Sequence, residues 1–192
     1  MSEPRWLDGY RGQTTDELIA LDGTYRTDSI VLAFEQAIAD KAVRIGGTQH
    51  LTDAERVVLS VEALEREVNS DGYDGLFRNA AQEVPDVVSA LTAIGRDAVA
   101  TLTGSAIEAL KIDGPLTPEA IEFAMEIEDD ERDDRLEELD RAYYESAGDL
   151  AGPLLSFIST NRDQIDLTQP TGAGSFSEQA RRTLRGFLER LR

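Results

Sequence analysis

The 192-residue chain is predicted to be all-α, a single irregular domain of about seven to eight helices. Three observations predict it. Apolar residues recur at helical spacing in segment after segment, and helix-capping residues, glycine or proline stand at the junctions. A central stretch, Leu51–Gly95, combines a long amphipathic run with boundary signals that agree at every break. Length and a 41% hydrophobic content are enough for one real core. Organisation reads as an N-terminal arm and short helix over 1–26, a helical core over 27–168, and a linker with a basic helix over 169–192.

Residues Met1–Gly12 form the arm, with Trp6 and Tyr10 as anchors, and a short helix near Asp16–Leu21 stops at Gly23. Thr27 suits the N-cap of the next helix, whose Ile30, Phe34, Ile38, Ala42 and Ile45 share a face until Gly46 and Gly47. Thr52 and Glu55 then make a capping box. Val57, Val61, Leu64 and Val68 continue as a core stripe, which Asn69 or Ser70 closes. Gly72 supplies the positive φ for a sharp reversal. Tyr73, Leu76, Phe77 and Ala80 sit at helical spacing, so they form a short helix that presents an aromatic face inward. Pro85 opens another with Val87, Val88, Leu91 and Ile94, ended by Gly95. Asp97 caps a helix bearing Val99, Leu102, Ile107 and Leu110, loosened at Gly104.

Thr117, Pro118 and Glu119 start the most charged segment. From Glu126 to Asp140 it holds ten acids and two arginines, net −8. Ile121, Met125, Leu136, Leu139 and Tyr143 keep one apolar arc across it, which predicts one unbroken helix of about 30 residues, Pro118–Ala147. On a separate arc about 140° wide fall Glu126, Asp129, Asp130, Asp133, Asp134, Glu137 and Asp140. Glu128–Arg132, Glu131–Arg135 and Glu137–Arg141 are spaced as i,i+4 pairs, and the remaining aspartates have none. Carboxylates one turn apart are on the scale of phosphates along a nucleic-acid strand; a merely solvated face is the plainer account of the same pattern. Beyond it come a helix with Leu150, Leu154, Phe157 and Ile158, a linker, and a last helix from Ser177. Arg181–Arg192 holds five arginines and one glutamate, net +4.

Composition excludes several classes. With 38 acidic against 19 basic residues, net −19, the chain repels nucleic acid and anionic membrane, so its partners are expected to be cationic. Solubility alone also accounts for such acidity. Without cysteine there are no disulfides or thiolate sites, and with no signal-peptide pattern a cytoplasmic location is expected. His50 is the single histidine, too few for a triad beside a metal site or for the paired E-x-x-H of carboxylate-bridged bundles. No calcium loop or phosphate-binding glycine pattern is present. The expectation is a protein without enzymatic activity, cofactor or metal.

The stretch E-V-N-S-D-G-Y-D-G-L-F-R-N, followed by A-L-T-A-I-G, resembles an uncharacterised bacterial all-helical domain family that contains an acidic DNA-mimic protein. Glu67, Val68, Asn69, Gly72, Phe77, Asn79, Leu91, Ile94 and Gly95 match that family's pattern, and Tyr73 replaces its aromatic. Ser70, Asp71, Gly75, Leu76 and Arg96 depart from it. The resemblance covers about Leu51–Ile112. It implies a homodimer and a mimic that binds a DNA-binding protein, such as a transcription regulator, in competition with its nucleic acid. The motif residues themselves read as structural, capping helices and tying turns. A scaffold or immunity-like protein that binds through an apolar, aromatic surface around Tyr73–Phe77 is the alternative.

Overall fold

The computed structural model describes residues 3–167. In chain order these form α1 (Thr15–Ile19), α2 (Thr27–Ile45), α3 (Asp53–Asn79), α4 (Val84–Ala93), α5 (Asp97–Ala109), α6 (Pro118–Glu126), α7 (Asp130–Ser146) and α8 (Ala151–Thr160). Short 3-10 turns at Thr48–His50 and Arg162–Gln164 complete them. The helix expected from Ser177 lies outside the described residues. None of the described helices is long and apolar enough to cross a membrane.

Helix α3 is the hub: α2, α4, α6, α7 and α8 all pack against it. Its start shows why. The Thr52 hydroxyl accepts from Glu55 N at 3.1 Å and a Glu55 carboxylate oxygen accepts from Thr52 N at 3.2 Å, so the capping box forms. The other Glu55 oxygen takes Lys41 Nζ at 2.6 Å and Asp166 N at 3.1 Å. That carboxylate is fully buried and satisfied on both oxygens, so one acid joins α2, α3 and the segment after α8. The arm is tied down by Leu7 N to Ser29 Oγ at 3.0 Å and by the Tyr10 hydroxyl to Leu167 O at 3.0 Å. Trp6 stays 55% exposed with the Arg26 guanidinium over its ring, so Tyr10 is the stronger anchor.

The long helix ends its regular geometry at Ser70 as expected: Asp71 (φ −137°, ψ 18°) and Gly72 (φ 70°, ψ −167°) leave helical geometry, and the short aromatic helix resumes beyond them, so α3 is two helices joined at a kink. One expectation needs correction: Pro118–Ala147 is not one rod. Ile127 turns extended at the end of α6, and Asp129 becomes the N-cap of α7, its carboxylate accepting from Arg132 N at 3.0 Å. The Arg132 side chain folds back into the break, donating to the carbonyls of Ala124 at 2.7 Å and Ile127 at 3.0 Å and pairing with Asp133 at 2.7 Å. Carbonyls orphaned at a helix end need donors, and an aspartate that can cap competes with helix propagation. Crowded like charges add to that competition. Gly104, by contrast, does not loosen α5, which runs through it. Thr27 and Asp97 sit one residue inside their helices, with Arg26 and Arg96 at the N-caps.

Candidate protein-interaction surface

The kink of α3 is assembled from the motif residues. Glu67, at the end of the first half, accepts from Asn79 Nδ2 at 3.0 Å, which brackets the kink from both sides. Asn69 turns its amide back to Glu65 O at 2.6 Å. Gly72 occupies a conformation essentially closed to residues with a Cβ, and a Cβ there would overlap the Asp140 carboxylate. Close packing explains Gly75 too: its Cα faces the Asp71 side chain and Glu67 O. At the kink, Tyr73 N is freed from the helix ladder and donates to Asp140 Oδ1 of α7 at 2.7 Å. Burial is the largest influence on the Asp140 carboxyl and raises its pKa, against the lowering effect of that bond.

Tyr73 and Phe77 point inward, both 0% exposed. The Tyr73 hydroxyl shares a hydrogen bond with Thr103 Oγ1 at 3.1 Å, and its ring meets Tyr143 edge-on at 6.0 Å. Burial pushes the Tyr73 hydroxyl up to about 12. These rings therefore belong to the core and offer no partner surface of their own. Leu91 and Ile94 are buried, and Gly95 (φ 73°) closes α4: Arg96 N donates to Leu91 O at 2.8 Å and Gly95 N to Thr92 O at 2.9 Å. Arg96, a departure from the family pattern, donates to Ala147 O at the C-terminus of α7.

The acidic face survives only in part. Asp129 is spent as the N-cap of α7 and pairs with Lys111 at 3.2 Å, and Asp140 is turned toward the kink; neither belongs to an open face. Glu126 is exposed but belongs to α6, on the other side of the break. What remains on the solvent side of α7 is Asp130, Asp133, Asp134 and Glu137, all exposed, opposite the buried Arg132, Leu136, Leu139 and Tyr143. Asp133 is paired with Arg132. Asp130, Asp134 and Glu137 have no ion-pair partner among the described residues. The expected i,i+4 pairs do not form either: Glu131 meets Lys111 at 2.8 Å and Arg135 meets Glu138 at 2.9 Å. This ridge sits on a helix pinned at both ends, by Arg132 and by Arg96.

A family model described as DMP19-like protein matches residues 49–161, more than half of the chain. The chain belongs to the DMP19-like family. No curated protein and no solved structure matches it. The match runs from just before the capping box to the end of α8, so the kink, the ridge and the Arg132 break all fall within the DMP19-like region, whereas the arm and the basic C-terminal segment fall outside it.

Three residues of this DMP19-like protein carry more structure than their sequence positions announced. Arg132 falls within the apolar arc of Leu136, Leu139 and Tyr143, and that placement was the available signal that it is buried (3% exposed). Lys111 adopts φ 53°, rare for a residue with a side chain, and thereby sets its ammonium between Asp129 and Glu131. Nothing local in the sequence signals it. Glu62 is 5% exposed on α3 and one of its oxygens has no hydrogen-bond partner among the described residues. Burial first, then the charges of Glu65 and Glu35, pushes its carboxyl up to about 8. Among the described residues no group of three or more His, Asp or Glu side chains is placed to hold a metal ion.

Proposed function

We propose that this DMP19-like protein acts without catalysis, as an acidic ligand for a cationic, DNA-binding protein, occupying the surface that protein uses for nucleic acid. The observation that carries the reading is the ridge of Asp130, Asp134 and Glu137, exposed and without ion-pair partners on a helix held at both ends. At 1.5 Å of rise per residue these carboxylates repeat about every 5–6 Å, a spacing a phosphate-binding surface can follow. The chain's net charge of −19 adds long-range attraction for such a partner.

The test is capture of the partner from native lysate, followed by competition with duplex DNA. Changing Asp130, Asp133 and Asp134 to Asn and Glu137 to Gln is expected to weaken the complex at least about ten-fold, and affinity of the unaltered protein should fall steeply with salt. Binding unchanged by the four substitutions, or indifferent to salt, would overturn the reading. Asp129→Ala and Asp140→Ala serve as the internal control. They remove an N-cap and a kink contact, so they are expected to lower the melting temperature while leaving partner affinity within about two-fold. The homodimer implied by family resemblance is a separate proposal, read directly from sedimentation equilibrium.

A further inference from the structure

An open groove runs between the C-terminal end of α5 and the α6–α7 break. It comprises two adjoining hollows of about 420 and 500 Å³ that share Lys111 and Arg132. Its floor is apolar, with Leu110 and Ile112 on one side and Phe123 and Ile127 on the other. Phe123 is 64% and Ile127 51% exposed, unusual for large apolar side chains on so charged a body. Five carboxylates line the same groove, those of Asp113, Asp129, Glu131, Asp134 and Glu138, against only Lys111 and Arg135 besides the buried Arg132. Apolar floor and acidic walls together suit an amphipathic segment with basic flanks.

We propose that this groove binds the chain's own C-terminal segment, Ser177–Arg192. Charge complementarity is the first argument: Arg181–Arg192 carries net +4 beside Leu184, Phe187, Leu188 and Leu191, the inverse of the groove's lining. Reach is the second. The described chain ends at Leu167, near the start of α3, where Thr52 Oγ1 donates to Gln164 O at 2.8 Å. The groove lies by the far end of α3, where Arg78 donates to Met125 O at 3.0 Å. Thr52 and Arg78 are separated by at most roughly 39 Å of helix. The linker from Thr168 to Phe176 spans about 30 Å when extended, and the residues from Ser177 to Leu184 supply about 10 Å more even if helical. The apolar residues of the segment can therefore arrive over Phe123 and Ile127. Docked there, the segment lies along the flank of α7 and meets the ridge only at Asp134.

This inference does not rest on the proposed partner, because its test needs none. The chain has no cysteine, so thiols can be placed one pair at a time in the full-length protein. Phe123→Cys with Leu188→Cys is expected to form an intramolecular disulfide at least ten times faster than Val43→Cys with Leu188→Cys, Val43 being an exposed residue of α2. Ile127→Cys provides a second groove position should Phe123→Cys perturb folding. Molar salt should shrink the difference, and so should changing Arg181, Arg182 and Arg185 to Gln. Deleting 171–174 takes about 13 Å from a reach that only just covers the distance and should abolish the fast crosslink. Equal rates at groove and α2 positions, or a product that is chiefly a disulfide-linked dimer, would overturn the proposal.

Discussion

Glu62→Gln is expected to stabilise the protein by about 5 kcal/mol at pH 8.5 and by almost nothing at pH 4. The Glu62 carboxyl is held neutral in the folded chain up to about 8, whereas it ionises near 4.5 when exposed. Between those values unfolding releases a proton, so each rise of one pH unit removes about 1.4 kcal/mol of stability. The loss begins near pH 4.5 and is complete a little above pH 8. Glutamine stays neutral throughout and keeps the shape, so the gap between variant and parent isolates this group from the other acids. Chemical denaturation at pH 4, 6 and 8.5 measures it. A gap that does not widen with pH would show that Glu62 is solvated or paired in solution. The unpartnered oxygen is the structural reason to expect otherwise.

Gly72→Ala should remove about 3 kcal/mol or more, lowering the melting temperature by about 10 °C. Two effects combine: backbone strain at φ 70°, ψ −167°, and overlap of the new methyl with the Asp140 carboxylate. They are separable. In an Asp140→Ala background the overlap disappears and the strain persists, so the second Gly72→Ala penalty should be smaller by about 1–2 kcal/mol. Additive losses, or a Gly72→Ala penalty below about 1 kcal/mol, would mean the kink relaxes and does not clamp α7.

Much of this was legible before the fold was known. The Thr52–Glu55 box, Thr117 and Pro118 at the start of α6, the positive φ of Gly72, the stop at Gly95, and the inward faces of α2 (its last residue, the 39% exposed Ile45, apart), α3 and α4 are local properties of residue type and spacing. They read correctly because a cap or a left-handed residue is decided within four or five residues. The acidic rod read wrongly for the same reason. The apolar arc did persist from Ile121 to Tyr143, but periodicity cannot tell an unbroken helix from two helices that resume in phase. Asp129 as a cap and Arg132 as the donor that fills the break were both consistent with either arrangement. The aromatic pair read correctly: helical spacing put Tyr73 and Phe77 on one inward face, and both are buried, with Thr103 of α5 and Tyr143 of α7 supplying the contacts over Tyr73.

By itself the sequence determined the helical class, most helix ends and a heavily acidic charge, since each follows from local propensity or simple composition. Tertiary structure alone decided which acids are free. Asp140 is drawn to Tyr73 N, Asp129 to Arg132 N and Lys111, and Glu62 into the interior, leaving Asp130, Asp134 and Glu137 facing water. A carboxylate's role depends on which donor or apolar surface lies within about 3–4 Å of it. That neighbour is supplied by residues tens of positions away.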